Sequence, residues 1–279
     1  MPELTLSDGA TLAFDDFGDP EAPPVVLLHG FTSDSRMWQP HVEAFAADYR
    51  VIAPDLRGHG RSSAPEDLES YTMERYSEDL RELLDHIGAD LCALAGCSFG
   101  GMIAADFTVR HPERVAALVL SDTSAAFSHP GYDEAYAKRE AGIAESEEVV
   151  RKFGTAELGK RAAADIRDPF LAEGMRKRYA RLSRDGYLGA AQVRRERPDL
   201  LPVLGERLTM PVLICIGEND PVKSASDVMA RELPGPRVLE FADAGHGVPA
   251  IRPEAWGNAV LEFLAHVEEG QAVAGRARV

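Results

Sequence analysis

The 279-residue sequence is poor in cysteine, aromatic residues and positive charge. Its three cysteines, Cys92, Cys97 and Cys215, are odd in number, sit in apolar stretches and lack C-x-x-C spacing. They argue against a disulfide framework and a thiolate metal site, and read as reduced core residues. No stretch approaches the ~18 to 20 apolar residues that span a bilayer. The opening Met1-Pro2-Glu3-Leu4-Thr5 has neither the basic start nor the apolar centre of an export signal, so a cytoplasmic protein is expected. Thirty Lys and Arg against 46 Asp and Glu leave a formal net charge of −16. Nucleic acid and anionic membranes bind cationic surfaces, so neither is an expected partner. No spacing of ligand residues points to a metal, and no cofactor is expected.

What the sequence does have is a punctuated pattern around Leu91-Cys92-Ala93-Leu94-Ala95-Gly96-Cys97-Ser98-Phe99-Gly100-Gly101. An apolar run leads into a serine with glycine two residues before and two after it, and a helical pattern follows. A serine on so sharp a strand-to-helix turn needs small neighbours at those two positions. The turn lifts its hydroxyl clear of a sheet and sets it at a helix N-terminus, where free N–H groups can stabilise a developing oxyanion. Cys97 does not fit as the nucleophile, because Phe99 would occupy one of the positions that must be small.

Along the chain, Leu4-Thr5-Leu6 and Thr11-Leu12-Ala13-Phe14 flank Asp8-Gly9 as a hairpin at a sheet edge. Val25 to Leu28 reads as a strand buried on both faces, ending at His29-Gly30-Phe31-Thr32. A helix over 38–47 and a strand over 51–53 follow, and then an amphipathic helix from Met73 to Ile87. The helix after Ser98 runs to His111, and a strand over 115–120 ends at Ser121-Asp122. From 127 to 208 no strand pattern appears; helices are expected over 132–153, 156–165 and 170–184. Alternation resumes with a strand over 211–216, a helix over 224–233, a strand over 237–241 and a helix over 253–266. Residues 268–279 lack an apolar face and are expected to fray. The pattern predicts an α/β fold with a mostly parallel, doubly wound sheet. The core comprises 1–126 and 209–267, and a helical cap spans 127–208.

Ligands of such sheets bind beyond the carboxyl ends of the strands, which here carry Ser98, Asp55, Asp122, Asp220 and His246. An activated serine needs a base within hydrogen-bond reach and an acid that fixes the imidazole. His246, between two glycines after the last strand, fits the base. Asp220 in Gly217-Glu218-Asn219-Asp220-Pro221 fits the acid, with Asp122 as the alternative.

His29-Gly30-Phe31, Asp55-Leu56-Arg57-Gly58-His59-Gly60-Arg61-Ser62, Gly96 to Gly101, Gly217 to Asp220 and Gly245-His246 together resemble an α/β-hydrolase-fold serine hydrolase. The resemblance covers residues 10 to 267. It implies an oxyanion hole from the backbone N–H groups of Phe31 and Phe99, shaped by the His29-Gly30 turn. Some members use an aspartate nucleophile, against which Ser98 argues. Leu118 to Ala125 and Gly186 to Arg194 resemble 3-oxoadipate enol-lactonases and related esterases. His29 to Thr32 and Tyr71-Thr72-Met73-Glu74 resemble a menaquinone-pathway synthase, a lyase, but Met102 stands where that group carries an arginine. Carbon-carbon bond hydrolases share Ser-Phe-Gly-Gly, and some members keep the triad as ligand-binding or signalling proteins. The expected function is hydrolysis of small-molecule esters or lactones by a monomer or homodimer. The expected pocket includes His29, Gly30, Trp38, Met102 and Val222. Such a pocket is apolar and favours uncharged acyl groups, with Arg176, Arg178, Arg181 and Arg184 on a solvated face.

Overall fold

A computed structural model describes residues 2–279. Nine strands form one sheet in the order β1-β2-β4-β3-β5-β6-β7-β8-β9. They are β1 Glu3–Thr5, β2 Thr11–Phe17, β3 Pro24–Leu28, β4 Arg50–Pro54, β5 Cys92–Cys97, β6 Val115–Ser121, β7 Val212–Gly217, β8 Arg237–Phe241 and β9 Gly275–Arg278. The first two run antiparallel to their neighbours and the others pair in parallel. Strand β5 lies between β3 and β6, so the end of the Cys92–Cys97 run opens where the order of connections reverses.

Helices α1 Gln39–Phe45, α2 Met73–His86 and α3 Phe99–Arg110 follow β3, β4 and β5. Between β6 and β7 come α4 Glu134–Phe153, α5 Thr155–Ala162, α6 Pro169–Ala180, α7 Arg184–Glu196 and the short α8 Leu204–Arg207. Next are α9 Lys223–Glu232, the short α10 Val248–Ile251 and α11 Pro253–Glu268. Two apolar clusters line opposite faces of the sheet. Val26, Leu28, Leu94, Leu118 and Ile214 face α2 and α3, while Val25, Leu27, Ala95, Val119 and Leu213 face α1 and α11. The alternation along each strand is what a sheet buried on both sides requires.

Two regions depart from the expectations. Arg184–Glu196 is a separate helix, started by Ser183, whose hydroxyl accepts from Gly186 N–H at 3.2 Å. The last residues do not all fray: β9 pairs with β8 from Arg237↔Gly275 to Glu240↔Arg278. Its side chains show no apolar alternation because the attachment is backbone pairing plus charge. Arg276 meets Asp227 and Glu240, and Arg278 meets Glu218.

The insertion closes on the core through a seam of glycines. A Cβ on Gly186 would lie 2.0 Å from Gly58 O, and one on Gly189 would lie 2.4 Å from the Tyr71 ring. Backbone therefore rests directly on backbone and on an aromatic face. By contrast α6 buries only Ala172 and exposes Phe170 and Leu171. Its tie to the core is Arg178, which donates to Thr32 O and Thr32 Oγ1, each at 2.8 Å. Among the described residues no helix is long and apolar enough to cross a membrane.

Candidate active site

Ser98 joins β5 to α3 with φ 54° and ψ −112°. A residue with a side chain seldom adopts such a backbone, which costs on the order of 1–3 kcal/mol and persists only where neighbours enforce it. They do so here. Ser98 N–H donates to Ser121 O at 2.8 Å, and Thr123 Oγ–H donates to Ser98 O at 2.7 Å. The flanking glycines are steric necessities: a Cβ at Gly96 would sit 2.4 Å from Gly100 O, and one at Gly100 would sit 2.2 Å from Leu28 O.

Three side chains from three strand ends meet. Ser98 Oγ lies 2.9 Å from His246 Nε2, and His246 Nδ1 lies 3.0 Å from both carboxylate oxygens of Asp220. A carboxylate only accepts, so Nδ1 carries the proton and Nε2 presents a lone pair to the serine hydroxyl. Burial pushes the Asp220 carboxyl up, but the hydrogen bond and charge of His246 outweigh it and leave the group below its ordinary value. Val222 N–H adds a bond to Asp220 Oδ1 at 2.8 Å.

Asp122, the alternative acid, has a different employment. Its carboxyl is fully buried and accepts from Gly217 N at 3.0 Å, Gly247 N at 3.1 Å and Val248 N at 2.6 Å. It thereby fastens the loop that carries His246 to the end of β7. Burial, then the neighbouring charge of Asp220, raises it well above the carboxylate range. Cys97 is buried too, and burial pushes its thiol well up, which denies it a thiolate at neutral pH.

A cavity of about 740 Å³ opens on Ser98 and His246. Gly30, Phe31, Met37, Ile143, Tyr179 and Tyr187 supply much of its wall. A second groove, about 800 Å³, lies across Thr32 and Arg178 among Asp15, Asp55 and Arg61, and reaches none of Ser98, His246 or Asp220.

The expected pocket residues divide. Gly30 lines the cavity, close enough that a Cβ there would stand 3.5 Å from Ser98 Cβ. His29 is buried behind the turn: Leu56 N–H donates to its Nε2 at 3.0 Å, leaving Nδ1 to donate to Gly30 O at 2.9 Å. It shapes the Gly30-Phe31 turn and does not line the cavity. Trp38 is a correction, because it packs with no exposure against Trp256 and His41. Met102 lies beneath the site in the apolar cluster of α3, and Val222 packs on Tyr136 and Ala225. Neither lines the cavity, because one lies on the inner side of α3 and the other under α4. Phe99 has a buried ring, and its N–H opens α3, where no carbonyl of the helix can reach it.

Sequence reasoning missed an arginine. Arg139 on α4 reaches the cavity, and its Nη2 stands 3.1 Å from His246 Nε2. It pairs with Glu140 at 2.8 Å, and Arg194 from α7 binds the same carboxylate at 2.7 and 3.0 Å. Arg194 is completely buried, 5.4 Å over the Phe31 ring, and its Nε and Nη1 have no hydrogen-bond partner among the described residues. Burial, partly offset by Glu140, pushes its guanidinium down to about 10. The helical stripe Tyr136, Arg139, Ile143, Ser146, Val150 would have placed Arg139 inward.

This constellation on this sheet defines an α/β hydrolase. A family model described as the alpha/beta hydrolase fold matches residues 23–251, and the chain belongs to that family. A Bacillus subtilis protein provisionally assigned as 2-succinyl-6-hydroxy-2,4-cyclohexadiene-1-carboxylate synthase is 31% identical over 95% of this chain and 98% of its own. The 3-oxoadipate enol-lactonase 2 of Acinetobacter baylyi is 29% identical over 92% of this chain and 94% of its own. A thermophilic esterase from Thermogutta terrifontis, solved with malate bound, is 30% identical with a TM-score of 0.81, over 95% of this chain and 98% of that one.

Proposed function

We propose that the protein hydrolyses carboxylic esters or lactones of small molecules through an acyl-serine intermediate. The observation that carries this reading is the chain of hydrogen bonds from Ser98 Oγ to His246 Nε2 and from Nδ1 to Asp220. Ser98 Oγ attacks the substrate carbonyl while His246 Nε2 takes its proton. The N–H groups of Phe99 and Phe31 receive the oxyanion. His246 then returns the proton to the leaving alkoxide, and water repeats the cycle on the acyl-enzyme. Asp220 stays ionised and keeps the imidazole in the tautomer whose Nε2 carries no proton. The similarity to an esterase and an enol-lactonase supports the same class of chemistry.

The test is Ser98→Ala, which keeps the fold and lowers turnover of short p-nitrophenyl esters by about 10³- to 10⁶-fold, as expected when the residues act as a unit. Equal loss in Cys97→Ala would move the nucleophile. A single slow acylation without turnover in the unaltered protein would favour a ligand-binding role.

A further inference from the structure

The contact between Arg139 and His246 poses a chemical problem. With Nδ1 donating to Asp220, His246 Nε2 has one lone pair, and two donors approach it: Ser98 Oγ at 2.9 Å and Arg139 Nη2 at 3.1 Å. To the extent that the guanidinium holds that lone pair, the base is withheld from the serine. An arginine in this place hinders proton transfer unless something takes the guanidinium away.

The charges nearby show what could do so. Arg139, Arg194 and Arg197 come together where α4 and α7 meet the core, and Glu140 is the carboxylate that Arg139 and Arg194 share. Arg197 gives its protons to neutral oxygens, those of Ser124, Ala126, Tyr136 and Arg194. Asp34 on the cavity wall is taken by Arg36, and Asp220 is committed to the far side of the imidazole. Three buried or half-buried guanidiniums thus face one carboxylate beside a reactive serine, in a chain with a net charge of −16. Buried cations left without counter-charge are costly, so an anion arriving in the cavity gains more here than in a balanced site.

We propose that Arg139 is a specificity-determining residue that binds a carboxylate carried by the substrate and, in turning to it, withdraws from His246 Nε2. The acyl or lactone substrate is therefore an acidic one, and its own anion completes the base. Neutral esters leave Arg139 on the imidazole. The kinetic part rests on the serine-hydrolase reading; the binding part does not.

The experiment has two arms. Calorimetry with Ser98→Ala protein uses glutarate as the probe, in the presence and absence of Arg139→Met. Glutarate affinity falls about 10- to 100-fold on losing the arginine, the range of a charge-assisted bond, and Arg139→Lys restores part of it. Kinetics on otherwise unaltered protein compare p-nitrophenyl butyrate with mono-p-nitrophenyl glutarate. The acidic ester has the higher kcat/KM; Arg139→Met lowers it for that ester and raises kcat for the neutral one. Absence of glutarate binding, binding indifferent to Arg139, preference for the neutral ester, or an equal fall on both esters each overturns the proposal. If neither ester is hydrolysed while glutarate binding still depends on Arg139, the hydrolase reading fails and the anion site stands.

Discussion

Replacing Gly100 by alanine adds a single methyl group to the first turn of α3, where intrinsic helix propensity favours alanine over glycine by about 1 kcal/mol. The surroundings reverse that preference. The added Cβ would fall 2.2 Å from Leu28 O and 2.6 Å from both His29 O and Leu28 C, all of them backbone atoms. The closest contact is roughly 1.2 Å short of ordinary van der Waals separation, and no flexible side chain can yield to relieve it. Either α3 moves off the end of β3 or the His29-Gly30-Phe31 turn moves off Ser98. Overpacking of this kind costs about 1–3 kcal/mol, and a displacement near 1 Å at reacting groups costs on the order of 10²-fold in rate. Gly142, inside α4 with nothing within 4 Å of its added Cβ, is the matched control. There the same substitution stabilises by about 0.5–1 kcal/mol through propensity. Urea unfolding and ester turnover of both variants decide it. A Gly100→Ala protein as stable and active as the parent would refute the steric account of the turn.

Asp220→Asn is expected to lower turnover by about 10³- to 10⁴-fold with little loss of stability, because the amide can offer its N–H to the imidazole and favour the wrong tautomer. Asp122→Ala should instead show first in unfolding, since it strands the buried N–H groups of Gly217 and Val248 at about 1–3 kcal/mol each and the part-buried one of Gly247 at less; the opposite ranking in paired melts and rates would exchange the two roles. Stability should fall on acidification. Burial, then the adjacent His29, pushes folded His59 down to about 3 from an ordinary 6.5. Between those values the unfolded chain binds the extra proton, costing up to about 1.4 kcal/mol per pH unit. His29 and His41 are lowered in the same direction, chiefly by burial. A urea midpoint no lower at about pH 5.5 than at about pH 7.5 would contradict this.

The parts of the architecture that follow from local chemistry were legible in the chain. Val25 to Leu28 and Leu213 to Ile216 are continuous apolar runs because helices cover both faces, and glycines at 96 and 100 are demanded by backbone contacts that any such turn makes. Ser98, Asp220 and His246 could be paired because each ends a strand and the strands end on one side of the sheet. Residues placed by the packing of one element on another were not legible. Trp38 has the composition of a pocket residue, and only its seat against Trp256 shows otherwise. Strand β9 escaped because its pairing uses backbone and charge in place of apolar alternation. Arg139 escaped for a related reason: its helix was recognised, but which stripe of α4 turns inward depends on how the insertion sits over His246.

The glycine seam between α7 and the core bears on how this protein could acquire new substrates. At Gly186 and Gly189 even a methyl group would collide with Gly58 or Tyr71, so any recombined insertion must carry the same two bare positions in register or fail to seat. Gly174 on α6 has nothing within 4 Å of where a side chain would begin. Diversity introduced on the outward face of α6, around Phe170, Leu171 and Gly174, is therefore cheap to explore, while α7 behaves as a fixed mounting point to which alternative roofs over the serine would have to be fitted.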